Sequence, residues 1–180
     1  MNNQGSLLVL DLSSYGSALA IINQFCDGKS VEVFEVSPVG TAALLILEIK
    51  DRIAATLLKT EIISFFKSSV LSSRLIEAYD LNLLKVYLSQ NHTSIANHLL
   101  VQEFSFVSEA LAAADQLIKQ DLAVLDLRVI RTFPMNVILT LTSSDVNKLV
   151  AVKNAGAPRS STIIEKVEPV LKEYFQIVKA

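Results

Sequence analysis

The chain has 180 residues, a formal net charge of −2 and 51% hydrophobic residues, with no tryptophan. Its 16 Lys and Arg are scattered rather than gathered into the basic stripe that displaces counterions from phosphates, which argues against nucleic acid as a partner. No apolar run reaches the roughly 18 to 20 residues of a membrane span, yet a mean hydropathy of +0.44 is high for a soluble monomer, so part of the apolar surface is expected to meet other subunits.

The start, "MNNQGSLLVLDL", has no basic region ahead of its apolar run, and Asp11 cuts that run short. It does not read as a signal peptide, and a cytoplasmic location is expected. The single cysteine, Cys26, permits neither an internal disulfide nor a cysteine metal cage, in keeping with a reducing compartment.

In chain order, "SLLVLDL" reads as a strand and "YGSALAIINQFC" as a short helix with Ala18, Ile21, Ile22 and Phe25 on one face. "VEVFEV" alternates with period two, as a half-buried strand does. After the loop "SPVGT", "AALLILEI" is oily enough to be buried on both faces. Asp51 is placed to cap a helix in which Ile53, Leu57, Leu58, Ile62, Phe65 and Phe66 keep the helical period. "RLIEAY" is a fourth strand, and Asp80 starts a last short helix.

The same order is then written again. Residues 8–24, "LVLDLSSYGSALAIINQ", lie over 100–116, "LVQEFSFVSEALAAADQ", with seven identities in seventeen positions at an offset of 92. "LILEI" (45–49) falls on "VILTL" (137–141) at the same offset, and 72–89 falls on 160–177 at offset 88. In the second copy Pro169 opens the last helix, and Val167, Val170, Leu171, Tyr174, Phe175 and Val178 follow its period. Two domains are expected, 1–89 and 99–180, joined by the polar linker 90–98. Each copy reads β-α-β-β-α-β plus a helix, so the fold class is α+β: tandem ferredoxin-like, split β-α-β domains, each with an extra terminal helix. At this size the copies must pack on each other or on other chains.

A tandem of such units resembles the bacterial microcompartment (BMC) shell-protein domain in its tandem, trimer-forming version. The family's block "VGYEKIGSGLVTVIVRGDV" aligns without gaps with "VFEVSPVGTAALLILEIKDR" (33–52), and Gly16 takes the place of the glycine in the family's Arg-Gly pair. The family's helix block "AADAMVKAANVEL" is matched by "AADQLIKQDLAVL" (113–125), with Lys119 on the lysine at the edge where hexagons meet. The second copy departs from the pattern at "IRTFPMNV", with about two extra residues and the bulky Phe133, and no lysine of the first copy aligns at the edge position.

The resemblance implies a non-enzymatic, cytoplasmic structural subunit of a microcompartment shell. It would be a homotrimer of pseudosixfold outline that tiles with other shell proteins, around a central pore for small polar or anionic metabolites. Val39, Gly40, Thr41 and Ala42 would line that pore in alternation with Thr132, Phe133 and Pro134, and Lys119 would make the edge contact. Small residues at the loop let backbones crowd an axis, and their amides can face anionic solutes. A tandem small-molecule-binding or regulatory module is the alternative, because fold does not fix function.

"DGKS" (27–30) lacks the first glycine of a phosphate loop, Asn23 standing there, and reads as a helix-to-strand turn. His92 and His98 have no ligand set around them, and no catalytic, cofactor or metal motif is present in the sequence. Asp11 and Glu103 are repeat-equivalent carboxylates, read as caps or inter-domain hydrogen bonds rather than an acid-base pair. Cys26 reads as a small buried hydrophobe, and the Asn91 sequon as idle. Lys119 is either a solvated cation at a helix C-terminus or the edge contact. Phe133 is either packed beside Pro134 or a constriction.

Overall fold

The computed structural model describes residues 5–26, 28–131 and 136–179, with side chains as far as Phe175. The first copy runs β1 (Ser6–Leu12), α1 (Tyr15–Phe25), β2 (Val31–Val39), β3 (Ala42–Ile49), α2 (Arg52–Phe65), β4 (Val70–Glu77) and α3 (Leu81–Tyr87). The second runs β5 (His98–Phe104), α4 (Val107–Ile118), β6 (Ala123–Ile130), β7 (Asn136–Ser143), α5 (Val146–Val152), β8 (Ser160–Ile164) and α6 (Pro169–Lys179).

Each copy forms one four-stranded antiparallel sheet, in the orders β2-β3-β1-β4 and β6-β7-β5-β8. In each, the third strand is inserted between the first two, which is the split β-α-β arrangement. The fold class read from the sequence therefore holds. So does the Asp51 cap, whose carboxylate accepts the amides of Ile53 and Ala54.

Strand register corrects the repeat alignment at one place. Asp11 lies opposite Leu44 and Leu8 opposite Leu47, whereas Glu103 lies opposite Ile138 and Leu100 opposite Leu141. Residues 45–49 therefore correspond to 139–143, two places beyond the match on "VILTL". Five residues lie between the paired Ile130 and Asn136 against two between Val39 and Ala42; these three extra residues, less one lost ahead of β6, move every later pairing by two.

Two layers of core result. Leu8, Leu10 and Leu12 turn one face of β1 toward Ala18, Ile21, Ala55 and Ile62 of α1 and α2. Leu7 and Val9 turn the other face into a core shared with the second copy, which includes Phe104, Val107, Leu111 and Leu117. Helix α4 is the centre of that shared core, since it packs on its own sheet and also on β1 and β4. Helix α3 leaves its own sheet to pack on α4 and β6.

The periodicity of α2 was right, but its packed face is not the one expected. Leu58, Ile62 and Phe66 meet the core. Ile53, Leu57 and Phe65 stand in solvent at 78%, 63% and 70% exposure. The helix is apolar over more of its circumference than one sheet can cover.

Candidate functional site

The stretch expected to form a loop over 37–41 is mostly strand. Strand β2 runs on to Val39, which pairs with Ala42, so only Gly40 and Thr41 make the turn. Pro38 is tolerated because β2 is an edge strand with no ladder partner beyond it. Gly40 has φ of 59° and Thr41 has no positive φ, which fits the hairpin turn that takes glycine at its first central position. Val39 and Ala42 are buried within the chain, and Gly40 and Thr41 alone project from the tip. Thr132, Phe133 and Pro134 lie outside the described residues.

Beside this tip the two copies are joined by a charged cluster. Glu35 on β2 accepts hydrogen bonds from Arg131 at 2.8 Å, from Ser37 at 2.8 Å and from the Tyr87 hydroxyl at 2.5 Å. Arg131 also donates to the Ser37 hydroxyl. Burial alone would raise the Glu35 pKa; the hydrogen bonds from Tyr87, Arg131 and Ser37 and the charge of Arg131 overcome it and hold the carboxyl below its usual range. Burial, followed by the bond to Glu35, pushes the Tyr87 phenol well up. Because Arg131 immediately follows β6 and Glu35 lies on β2, this ion pair ties the stem of the second loop to the stem of the first.

The larger junction is built on α4. Its N-cap, Phe106, has no side-chain oxygen, so nothing local caps the helix. The fully buried Asp11 of β1 supplies the cap from the other copy, accepting Val107 N–H at 3.1 Å and Ser108 N–H at 3.0 Å. Burial raises its pKa, opposed by the hydrogen bonds from Ser108 and Val107. The capping and inter-domain role read for Asp11 is the one it has. Its counterpart Glu103 is bonded instead to Arg159 at 2.8 Å and to Asn136 at 3.4 Å, and its pKa is lowered by Arg159 first.

At the other end of α4, Lys119 forms an ion pair with Asp115 at 2.6 Å and donates to the Glu77 carbonyl at 3.1 Å. Asp115 also accepts the Asp80 amide at 3.0 Å, joining the starts of α3 and of this contact. Lys119 therefore braces the two copies, with 41% of its side chain exposed.

Sequence reasoning missed two polar anchors. Gln102 is buried where the first copy has Leu10, and its amide donates to the carbonyls of Lys153 at 3.0 Å and Ala155 at 3.3 Å beyond α5. Asn91, read only as an idle sequon, donates to the Val124 and Leu125 carbonyls at 3.2 and 2.8 Å and pins the linker to β6. A glutamine opposite a leucine in the repeat was the available signal for the first. Of the remaining motifs, His98 bonds the Glu165 carbonyl and His92 is exposed, while Gly28 donates to the Val31 carbonyl in the turn after α1. Cys26 caps α1, partly buried against the first core. Among the described residues no group of three or more His, Cys, Asp or Glu is placed to hold a metal ion, and no helix is long and apolar enough to cross a membrane.

No family model matches the sequence, and no curated protein does. Among solved structures, a microcompartment protein from Desulfitobacterium hafniense DCB matches with a TM-score of 0.71, covering 94% of this chain and 99% of that one at 16% identity. The chain has the fold of a tandem microcompartment protein. At that identity the likeness is one of architecture, and at 94% of the chain it extends over both copies.

Within the microcompartment fold the two copies differ in what their first helices touch. Val107 and Leu111 of α4 are buried, at 0% and 1% exposure, in the core shared with the first copy. Their repeat equivalents in α1, Tyr15 and Leu19, are 40% and 48% exposed. The same helix face is covered once inside the chain and once left open.

Proposed function

We infer that the chain is a structural, non-enzymatic subunit of a microcompartment shell, acting as a closed trimer of pseudosixfold outline. Each chain would contribute two domains, 1–89 and 99–180, joined by the linker 90–98. The observation that carries this reading is the unequal burial of α1 and α4. The contact of α4 on the sheet of the preceding copy is heterologous, since two different surfaces meet. A heterologous contact repeated at a constant rotation closes into a ring when the rotations complete a full turn, and the proposed trimer is that case. Repeating it between chains places Tyr15 and Leu19 of one chain on the β5–β8 face of the next. The Tyr15 and Gly16 amides would then stand where Val107 and Ser108 stand, within reach of the partner's Glu103, the counterpart of Asp11.

In that ring the Gly40–Thr41 tips and the 132–134 loops alternate around the axis and bound a passage for small polar or anionic metabolites. Fewer side chains line it than a seven-residue rim implies, because Val39 and Ala42 are buried in their own chain. Lys119 would lie at the tile edge with its exposed part, next to other shell proteins in a cytoplasmic compartment.

The test is the mass of the full chain in solution together with images of it. Sedimentation giving three times 19.7 kDa, with hexagonal plates or sheets in electron micrographs, supports the reading. A monomer at micromolar concentration, or discrete globular oligomers with no central opening, overturns it.

A further inference from the structure

A cleft of 600 Å³ opens between the copies, away from the Gly40–Thr41 tip, where α3, the linker and the end of α4 meet. Its polar rim carries Lys85 and Asn82 from α3 and His92 and Thr93 from the linker. Val86, Ile118 and Leu122 form an apolar wall. Among the described residues no carboxylate lines it, although the chain has more acidic than basic residues overall.

The rim is held in place before any ligand arrives. The chain leaves α3 through three consecutive bonds, from Leu88 N to Leu84 O, Ser89 N to Val86 O and Gln90 N to Lys85 O, the last at 2.7 Å. Asn91 then fastens the linker to Val124 and Leu125, as described above. A pre-formed rim spares the ligand the cost of ordering it.

Lys85 makes none of the ion pairs found among the described residues. Its ammonium reaches Asn82 Oδ1 of its own helix at 3.4 Å, a long contact that leaves most of its donors for something else. An ammonium with imidazole, amide and hydroxyl donors, set over an aliphatic wall, suits a planar anionic head on a short apolar body.

We propose that this inter-copy cleft binds a small aliphatic monocarboxylate, its head on Lys85, His92 and Thr93 and its chain against Val86, Ile118 and Leu122. The linker occurs once per chain, so the site belongs to the junction within a chain.

Ligand-observed saturation-transfer NMR on the full chain tests this with butyrate and n-butylammonium as observed probes and inorganic phosphate as a competitor. The expected result is transfer to butyrate and none to n-butylammonium, with butyrate affinity falling about tenfold in Lys85→Met and also falling in His92→Gln. Lys59→Met, on α2, is expected to bind like the original chain. Both rim side chains are exposed, and unchanged thermal melts of the variants confirm that the fold is intact. Absence of butyrate transfer, equal transfer to n-butylammonium, loss of the butyrate signal when equimolar phosphate is added, or an undiminished signal in both rim variants would each overturn the assignment.

Discussion

Asp11 and Ser108 are 97 residues apart, yet the Asp11 carboxylate accepts the Ser108 amide at 3.0 Å and so caps a helix belonging to the other copy. The duplicated halves are thereby one cooperative unit: the helix that completes the second copy is finished by the first. The apolar core shared by Leu7, Val9, Val107 and Leu111 makes the same join without direction, and the carboxylate fixes its register.

Replacing Asp11 with alanine leaves two buried amides without an acceptor. A loss of about 2 to 4 kcal/mol is expected from urea unfolding, larger than the roughly 1 kcal/mol expected when the local, half-buried cap Ser14 is changed to alanine. Equal losses at the two sites would mean that the inter-copy cap is no stronger than a local one.

Acid should act oppositely on two carboxyls. Glu35 is held below its ordinary 4.5, so its contribution is present above that value and is lost as pH falls through the folded pKa. Asp11 is raised above its ordinary 3.8, so its contribution is complete below 3.8 and declines as pH rises through the folded pKa. Melting temperature measured against pH should therefore show a smaller loss below about pH 4.5 in Glu35→Gln than in the original chain. In Asp11→Asn the weakening on going up from pH 3.8 should disappear. Parallel curves for all three proteins would refute both assignments.

Gly156 is constrained both by its backbone and by its neighbours. It has φ of 75°, and a Cβ there would lie 2.5 Å from Ala113 Cβ and 3.2 Å from the Phe104 ring. Gly156→Ala combines a left-handed backbone with an overlap on α4, and a loss of about 2 to 4 kcal/mol is expected in urea unfolding. Gly28→Ala has a similar φ of 69° but open space around it, and should lose about 1 kcal/mol.

Several of these features were written in the sequence and several were not. The strands and the Asp51 and Asp80 caps were legible because they depend on neighbours within a turn or a pleat. The length of the Gly40 hairpin was not. Pro38 signals a loop in isolation and is admitted to β2 only by that strand's place at the sheet edge. The exposed side of α2 was equally hidden, since periodicity shows that a helix has apolar residues and not how many of them a neighbour will cover. The partners of Asp11, Glu35 and Lys119 lie 97, 96 and 42 residues away, and only the docking of the copies brings them together. For the proposed pore, the Gly40–Thr41 tip was legible as small residues, whereas the burial of Val39 and Ala42 required the register.

The open face of α1 offers the sharpest mutational test of assembly. Leu19→Lys and Glu103→Lys change exposed or half-exposed positions, so each should alter the stability of the chain itself by less than about 1 kcal/mol. Each should nonetheless shift sedimentation toward the single chain, because one places a charge in the proposed contact and the other removes the partner's cap. Leu111→Lys, at the buried equivalent inside the chain, should unfold the protein instead.

The proposed trimer requires that the contact seen within the chain recur between chains and close. A reconstruction of the purified particle by electron cryomicroscopy measures this directly. Three chains with Gly40 and Thr41 at the central axis, and Leu19 seated on the β5–β8 face of the neighbour, are what the account predicts. Particles in which Leu19 faces solvent and residues 40–41 lie at the periphery would contradict it.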